Sequence, residues 1–265
     1  MATVKEIYEF LDQIAPFSIQ MSFDNAGFLV GRGQTPVEHL LVALDITESV
    51  VEEAALSECQ LIISHHPVIF HPAKSITDET VTGRVLLALT EHKIAAICAH
   101  TNLDAAKGGV NCCLAQALGL EQIGQLHQDG VDASGQPFGI GRVGKVIRPG
   151  QSAAEFAVYV KNTLGAASVR YVDGGRPVEC VAVGGGACGS MLAEVVAAGC
   201  DTFVTADVKY DQYLEARALG INLMDAGHYS TEHVVCIPLA ARLAEQFPDL
   251  RVTVSSRHKE IYCGV

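Results

Sequence analysis

The sequence predicts an α/β protein of two similar halves, each a mixed sheet flanked by helices. Apolar runs of strand length alternate with amphipathic stretches of helix length, the order recurs in the second half, and a turn-rich stretch at 121–150 separates the two. Residues 4–14 carry Ile7, Phe10, Leu11 and Ile14 at helical spacing, and Pro16 closes that helix. A loop-rich stretch then ends in Phe28-Leu29-Val30-Gly31. Next, 40–44 reads as a buried strand, 49–59 as a helix and 61–64 as a strand, a β-α-β unit with parallel strands. Helix 80–93, strand 94–99 and helix 110–118, stopped at Gly119, continue the pattern.

The join holds Asp129-Gly130, Ser134-Gly135 and Gly139-Ile140-Gly141-Arg142-Val143-Gly144. Beyond it come helix 152–164, strands 168–172 and 178–183, helix 190–198, strand 202–206, helix 208–219, strand 221–225, helix 231–246 and strand 251–255. The expected division is 1–125 and 126–265, with an approximate boundary and a last strand that can return to the first half. Two parallels point to a degenerate repeat. Segments 54–64 and 195–205 share helix, cysteine, polar residue and strand at an offset of 141, while His100 with Asp104 and His228 with Glu232 follow strands at an offset of 128.

A chain of 265 residues removes roughly 70–75% of its extended surface on folding, enough for a sizeable core. With 49% hydrophobic and 18% charged residues it is neither disordered nor fibrous. A net charge of −12 argues against general nucleic-acid binding and against an anionic membrane surface. The nine cysteines are odd in number, lack a C-x-x-C pair and sit mostly in apolar stretches, so they read as reduced core residues, and a cytoplasmic location is expected. Lys5, Glu6, Glu9 and Asp12 give the start of the chain the look of a mature helix rather than of a signal peptide. Residues 180–200 hold one charge, Glu194, but the run Gly184-Gly185-Gly186 makes them a buried strand, a turn and a helix rather than a membrane span.

Three strand ends carry the chemistry: Ser64-His65-His66-Pro67, His100-Thr101-Asn102-Leu103-Asp104 and Gly227-His228-Tyr229-Ser230-Thr231-Glu232. Open α/β sheets place ligands at such ends. Neighbouring residues on extended backbone point opposite ways, so His65 and His66 either lean toward different metals or follow a strand that has already bent, with Pro67 fixing the bend. Four imidazoles with two carboxylates suit zinc, iron, manganese, cobalt or nickel better than calcium or magnesium. Two divalent ions sharing five or six such groups keep open positions, as catalysis needs, and Asp104 is the natural bridging carboxylate. His39, His71, His92, His127, His233 and His258 lack such company and read as surface or packing residues, and Cys112-Cys113 as core.

A rival signal is Gly184-Gly185-Gly186-Ala187-Cys188-Gly189, which satisfies G-x-G-x-x-G between a strand and a helix, with Asp207 closing the next strand. That is the setting of a dinucleotide-binding oxidoreductase, although such turns also serve simple strand-to-helix packing.

The motifs just quoted, together with Ser22-Phe23-Asp24-Asn25-Ala26-Gly27-Phe28, resemble those of the dinuclear-metal-centre proteins known as GTP cyclohydrolase 1 type 2 homologues. They run from about residue 20 to 232 in the family's order, with Phe23 where the family usually has Trp, a packing change. The resemblance implies two α/β halves with the metal site between them, assembled as a toroidal homohexamer whose metal pairs face an inner cavity. It implies His65, His66, Asp104, His228 and Glu232 as metal ligands and His100 beside them as a catalytic proton carrier or outer-shell residue. The short middle stretch matches family members without an inserted domain.

The leading expectation is a metal-dependent hydrolase of a nucleotide or phosphorylated small molecule. No Walker A run is present, so Lys74, Arg84 and Lys107 are the basic residues nearest the motifs in sequence that could help hold phosphate. A hexameric metal-binding adaptor or metal-handling protein without turnover is the alternative from another class.

Overall fold

The computed structural model describes residues 1–263. From the N-terminus the elements are β1 (Ala2–Thr3), α1 (Val4–Ile14), β2 (Gly27–Val30), β3 (Pro36–Val37), β4 (His39–Ala43), α2 (Glu48–Leu56), β5 (Leu61–Ser64), α3 (Val81–Glu91), β6 (Ala95–Cys98) and α4 (Thr101–Ala105). There follow α5 (Val110–Ala117), β7 (Glu121–Gln125), β8 (Gly130–Val131), β9 (Pro137–Phe138), β10 (Arg142–Lys145), α6 (Ala153–Leu164), β11 (Arg170–Val172), β12 (Cys180–Val183) and α7 (Leu192–Ala197). The chain ends with β13 (Thr202–Thr205), α8 (Tyr210–Leu219), β14 (Asn222–Asp225), α9 (His228–Glu232), α10 (Cys236–Gln246) and β15 (Arg251–Val254). The described residues divide into two units, the first of 1–106 and 236–259, the second of 107–235 and 260–263.

The first unit is a mixed sheet in the order β15-β4-β5-β6-β2. Its first four strands are parallel and β2 is antiparallel to β6. Burial on both faces explains why β4, β5 and β6 read as unbroken apolar runs with every residue buried. Between them α2 and α3 lay Val50, Val51, Ala54, Val85 and Leu89 against Leu41, Ile62 and Ala96. α1 starts on a capping box, Thr3 Oγ1 accepting from the Glu6 amide and Glu6 returning a carboxylate oxygen to the Thr3 amide, and buries Val4, Ile7 and Leu11.

The second unit is a mixed sheet in the order β11-β14-β13-β12-β10-β7. Strands β12, β13 and β14 are parallel, and β11, β10 and β7 run antiparallel to their neighbours. The turn-rich join thus supplies this sheet with two strands that composition conceals. Glu121-Gln122-Ile123-Gly124-Gln125 forms an edge strand with no buried residue, and β10 combines Arg142, Gly144 and Lys145. Phe203, Leu192, Val195, Ala216 and Leu223 form one apolar core of this unit, and Phe156, Val160, Val181, Val204 and Met224 another.

The repeat is visible in the topology. Each sheet holds three parallel strands joined by helices, β4-β5-β6 and β12-β13-β14, and flanks the third with an antiparallel strand. Registers align Ser64 with Thr205, since the Ala99 amide donates to the Ser64 carbonyl as the Ala226 amide does to Thr205. Counted onward, His66 matches Asp207, and His100, which caps α4, matches Gly227, which caps α9. The two His-x3-carboxylate motifs are therefore out of step by one residue.

The expected helix 231–246 is two helices: α9 starts earlier, and a 3-10 turn at His233–Val235 separates it from α10. Pro238 has no amide to continue the ladder, so α10 must begin just before it. Residues 180–200 form β12, a glycine turn, a 3-10 turn and α7. Among the described residues no helix is long and apolar enough to cross a membrane.

Candidate metal centre

In the first unit the backbone bends as soon as β5 ends. The amides of His65 and His66 both donate to the Leu44 carbonyl, at 3.1 and 2.9 Å, and Ser64 Oγ donates to the His66 carbonyl at 2.7 Å. The bend brings consecutive imidazoles together, with ring centroids 4.9 Å apart. His100, from the end of β6, lies 5.1 Å from the His65 ring and 5.5 Å from the His66 ring. One nitrogen from each of these three rings lies within 4.8 Å of the others. Asp104, one turn along α4, brings Oδ1 to 3.6 Å from His65 Nε2, which is ion-pair rather than hydrogen-bond range.

Each ring is oriented through Nδ1. His65 Nδ1 meets the Ala99 carbonyl at 2.8 Å, and because a carbonyl only accepts, the proton sits on Nδ1 and the lone pair on Nε2. His66 Nδ1 lies 2.7 Å from Asp45 Oδ1, and His100 Nδ1 lies 2.8 Å from Asp24 Oδ1. In the second unit His228 Nδ1 lies 2.6 Å from Asp207 Oδ2. An imidazole held at one nitrogen by an acceptor, with the other presented, is the arrangement metal-binding histidines use.

The second unit places His228 and Glu232 on one face of α9, His228 Nε2 being 3.0 Å from Glu232 Oε2. The Gly184–Gly186 turn lies against them. Gly186 has φ +65°, and a Cβ there would come within 2.1 Å of Glu232 Oε1 and 3.2 Å of His228 Nε2. Three of the turn's amides are engaged by side chains: Gly185 donates to Asn111 Oδ1, Gly186 to Thr231 Oγ1 and Cys188 to Thr205 Oγ1. Asp207, the acid a dinucleotide site needs for a ribose, is the partner of His228 instead. The fingerprint of a dinucleotide fold is here a packing turn that fits beneath a histidine and a glutamate.

Asp24, Asp45, Asp207 and Gly186 were not among the site residues expected from sequence. His258, expected at the surface or in packing, belongs to this network: it is buried, and its Nε2 lies 3.0 Å from Asp45 Oδ2. His39 is a packing residue, between the Ser57 carbonyl and Thr253 Oγ1. Phe23 is 63% exposed and meets Phe70 edge-on at 6.5 Å. Arg84 is engaged by Glu48 at 2.8 Å and by the Asp78 carbonyl, so its charge is not held in reserve for a phosphate.

Burial pushes the Asp24 carboxyl up, but hydrogen bonds from His100 and Thr101 outweigh it and hold the group below its ordinary value of 3.8. Burial likewise opposes ionisation of Asp45, and His258 and His66 together overcome it. A depressed carboxyl contributes stability that is complete above its unfolded pKa and fades as pH falls toward the folded one. In chelator-treated protein the unfolding temperature should therefore begin to drop as pH falls through about 4. Differential scanning calorimetry should show that Asp24→Asn removes part of this slope; identical slopes in variant and wild type would contradict the assignment.

The donor set of imidazoles and carboxylates, with ring tautomers fixed by acceptors and a glycine where a Cβ would displace Glu232, fits a transition metal. A model of the Duf34/NIF3 (NGG1p interacting factor 3) family matches residues 2–261. The chain belongs to the Duf34/NIF3 family. Its relatives include the Streptomyces coelicolor GTP cyclohydrolase 1 type 2 homologue, 35% identical over 263 residues that cover 96% of this chain and 92% of that one. The Helicobacter pylori GTP cyclohydrolase 1 type 2 is 34% identical over 235 residues, 88% of each chain. Among solved structures, Staphylococcus aureus protein SA1388 superposes with a TM-score of 0.92 at 29% identity over 99% of both chains. The resemblance read from the motifs is thus borne out over residues 2–261, and segments 65–66, 100–104 and 227–232 carry the clusters described above.

Proposed function

We propose that this Duf34/NIF3 protein binds two divalent transition-metal ions per chain through His65, His66, Asp104, His228 and Glu232 and is a hydrolase of a nucleotide or related phosphorylated small molecule. The observation that carries the reading is the common orientation of the imidazoles: His65, His66 and His228 each set Nδ1 against an acceptor, which makes Nε2 the nitrogen each would turn to an ion. When bound, such ions supply Lewis acidity toward a carbonyl or phosphoryl oxygen and make water a better nucleophile at neutral pH. In this proposal His100, whose ring lies 5.1 Å from that of His65 and 5.5 Å from that of His66, stands outside the five ligands and moves protons at Nε2 while Asp24 holds Nδ1. In the version suggested by the named relatives, the attacked atom is the ring carbon of a purine imidazole.

Metal analysis tests the site separately from the reaction. Wild type should carry about two ions per chain, and His66→Ala and Asp104→Ala should both lose them, with loss of 10–100-fold or more in affinity. Turnover of GTP and of a phosphoester panel by metal-loaded wild type, with His100→Ala impaired in rate but not in metal content, would support the hydrolase. Untouched substrates together with full metal content would favour the adaptor reading. The toroidal homohexamer and the cytoplasmic location belong to the same proposal, supported by family membership, and sedimentation tests the former.

A further inference from the structure

Strand β12 opens at Cys180, and Cys200 stands two residues before β13. Their sulfurs lie 2.9 Å apart, inside the roughly 3.5–4.0 Å at which uncharged heavy atoms rest against each other and approaching the about 2.05 Å of a disulfide. The backbone holds the pair in place. The Asp201 amide donates to the Cys180 carbonyl at 3.1 Å, and the Asp201 carboxylate accepts from the Cys180 amide at 2.8 Å and from the Glu179 amide.

We propose that Cys180 and Cys200 are a reversible oxidation site that forms an intra-unit disulfide on exposure to a hydroperoxide. Cys180 is half-buried and Cys200 fully buried, so Cys180 is the sulfur a small oxidant reaches. In the first step the Cys180 thiolate attacks the peroxide, the O–O bond breaks, and Cys180 leaves as a sulfenic acid with hydroxide released, which takes up a proton to become water. In the second step the Cys200 sulfur attacks the sulfenic sulfur, the S–O bond breaks, and the thiol proton departs with that oxygen as a second water. Two thiols are oxidised by two electrons and the peroxide is reduced by two. Burial, and then the neighbouring Cys180 sulfur, push the Cys200 thiol up, so Cys200 is not the sulfur that meets the peroxide first. The nine cysteines read from sequence as reduced core residues therefore include one pair with separate chemistry.

The test treats reduced full-length protein with hydrogen peroxide, alkylates it and digests it without reductant. The expected result is a peptide linking Cys180 to Cys200, an intact mass lower by two hydrogens, and restoration of both by dithiothreitol. Cys180→Ser and Cys200→Ser should each lose the link. Wild type gives a second readout that needs no variant: oxidation should raise the unfolding temperature reversibly, because the bond closes a loop across 20 positions of the unfolded chain. Treated wild type in which both residues remain open to alkylation, or in which Cys180 halts at sulfinic acid, overturns the proposal.

Discussion

Replacing Gly186 by alanine is expected to strip metal from the second unit's cluster while leaving the protein folded. The new Cβ would stand 2.1 Å from Glu232 Oε1, closer than any atom pair tolerates, and the residue's φ of +65° adds roughly 1–2 kcal/mol of backbone strain. The struck atom is the tip of a side chain, so the carboxylate gives way before the turn does. Glu232 is only 4% exposed, so the displaced carboxylate has no solvent to swing into and must break its alignment with His228. Elemental analysis should show an affinity lower by about tenfold or more, with the circular dichroism spectrum unchanged. Full metal content in Gly186→Ala would remove Glu232 from the ligand set.

The largest loss of stability is expected from Phe203→Ala. Phe203 is fully buried at the centre of β13, in the core with Leu192, Val195, Ala216 and Leu223, and its ring lies against the position a Gly184 side chain would occupy. Truncating such a ring costs about 3–5 kcal/mol through lost burial and the cavity left behind. That is a large share of the roughly 5–15 kcal/mol by which domains are stable. The midpoint of guanidinium unfolding measures it, and a cost under about 1 kcal/mol would mean that the core collapses around the gap.

The architecture was legible where strands are buried on both faces. Leu40-Leu41-Val42-Ala43 and Leu61-Ile62-Ile63 leave no other reading, and the residues that follow β5, β6 and β14 announced the chemistry because a polar cluster at the end of an apolar run is conspicuous. Edge strand β7 was hidden because an exposed edge imposes no apolar pattern, and the interior strand β10 because Arg142, Gly144 and Lys145 break its apolar run. The orienting carboxylates escaped for a different reason. Asp45 lies 21 positions before His66 and Asp24 lies 76 before His100, and only strand register brings each beside its ring. Asp45 did carry a weak signal, an acid just past the buried β4. His258 carried none, since its partner is supplied by a chain segment far away in sequence. The glycine turn was correctly seen as tight but matched two chemistries, and only the partners of its amides separate them.

The single-residue slip between the repeated units means that a duplicated framework carries unmatched donors. Where one copy puts an imidazole, His66, the other puts the acid Asp207, and where one puts the acid Asp45, the other leaves the bare backbone of Gly186. One copy offers an imidazole-rich set and the other a histidine with a glutamate. Successive equivalents of metal added in a titration should accordingly fill with unequal grip, a hierarchy that neither copy alone could create.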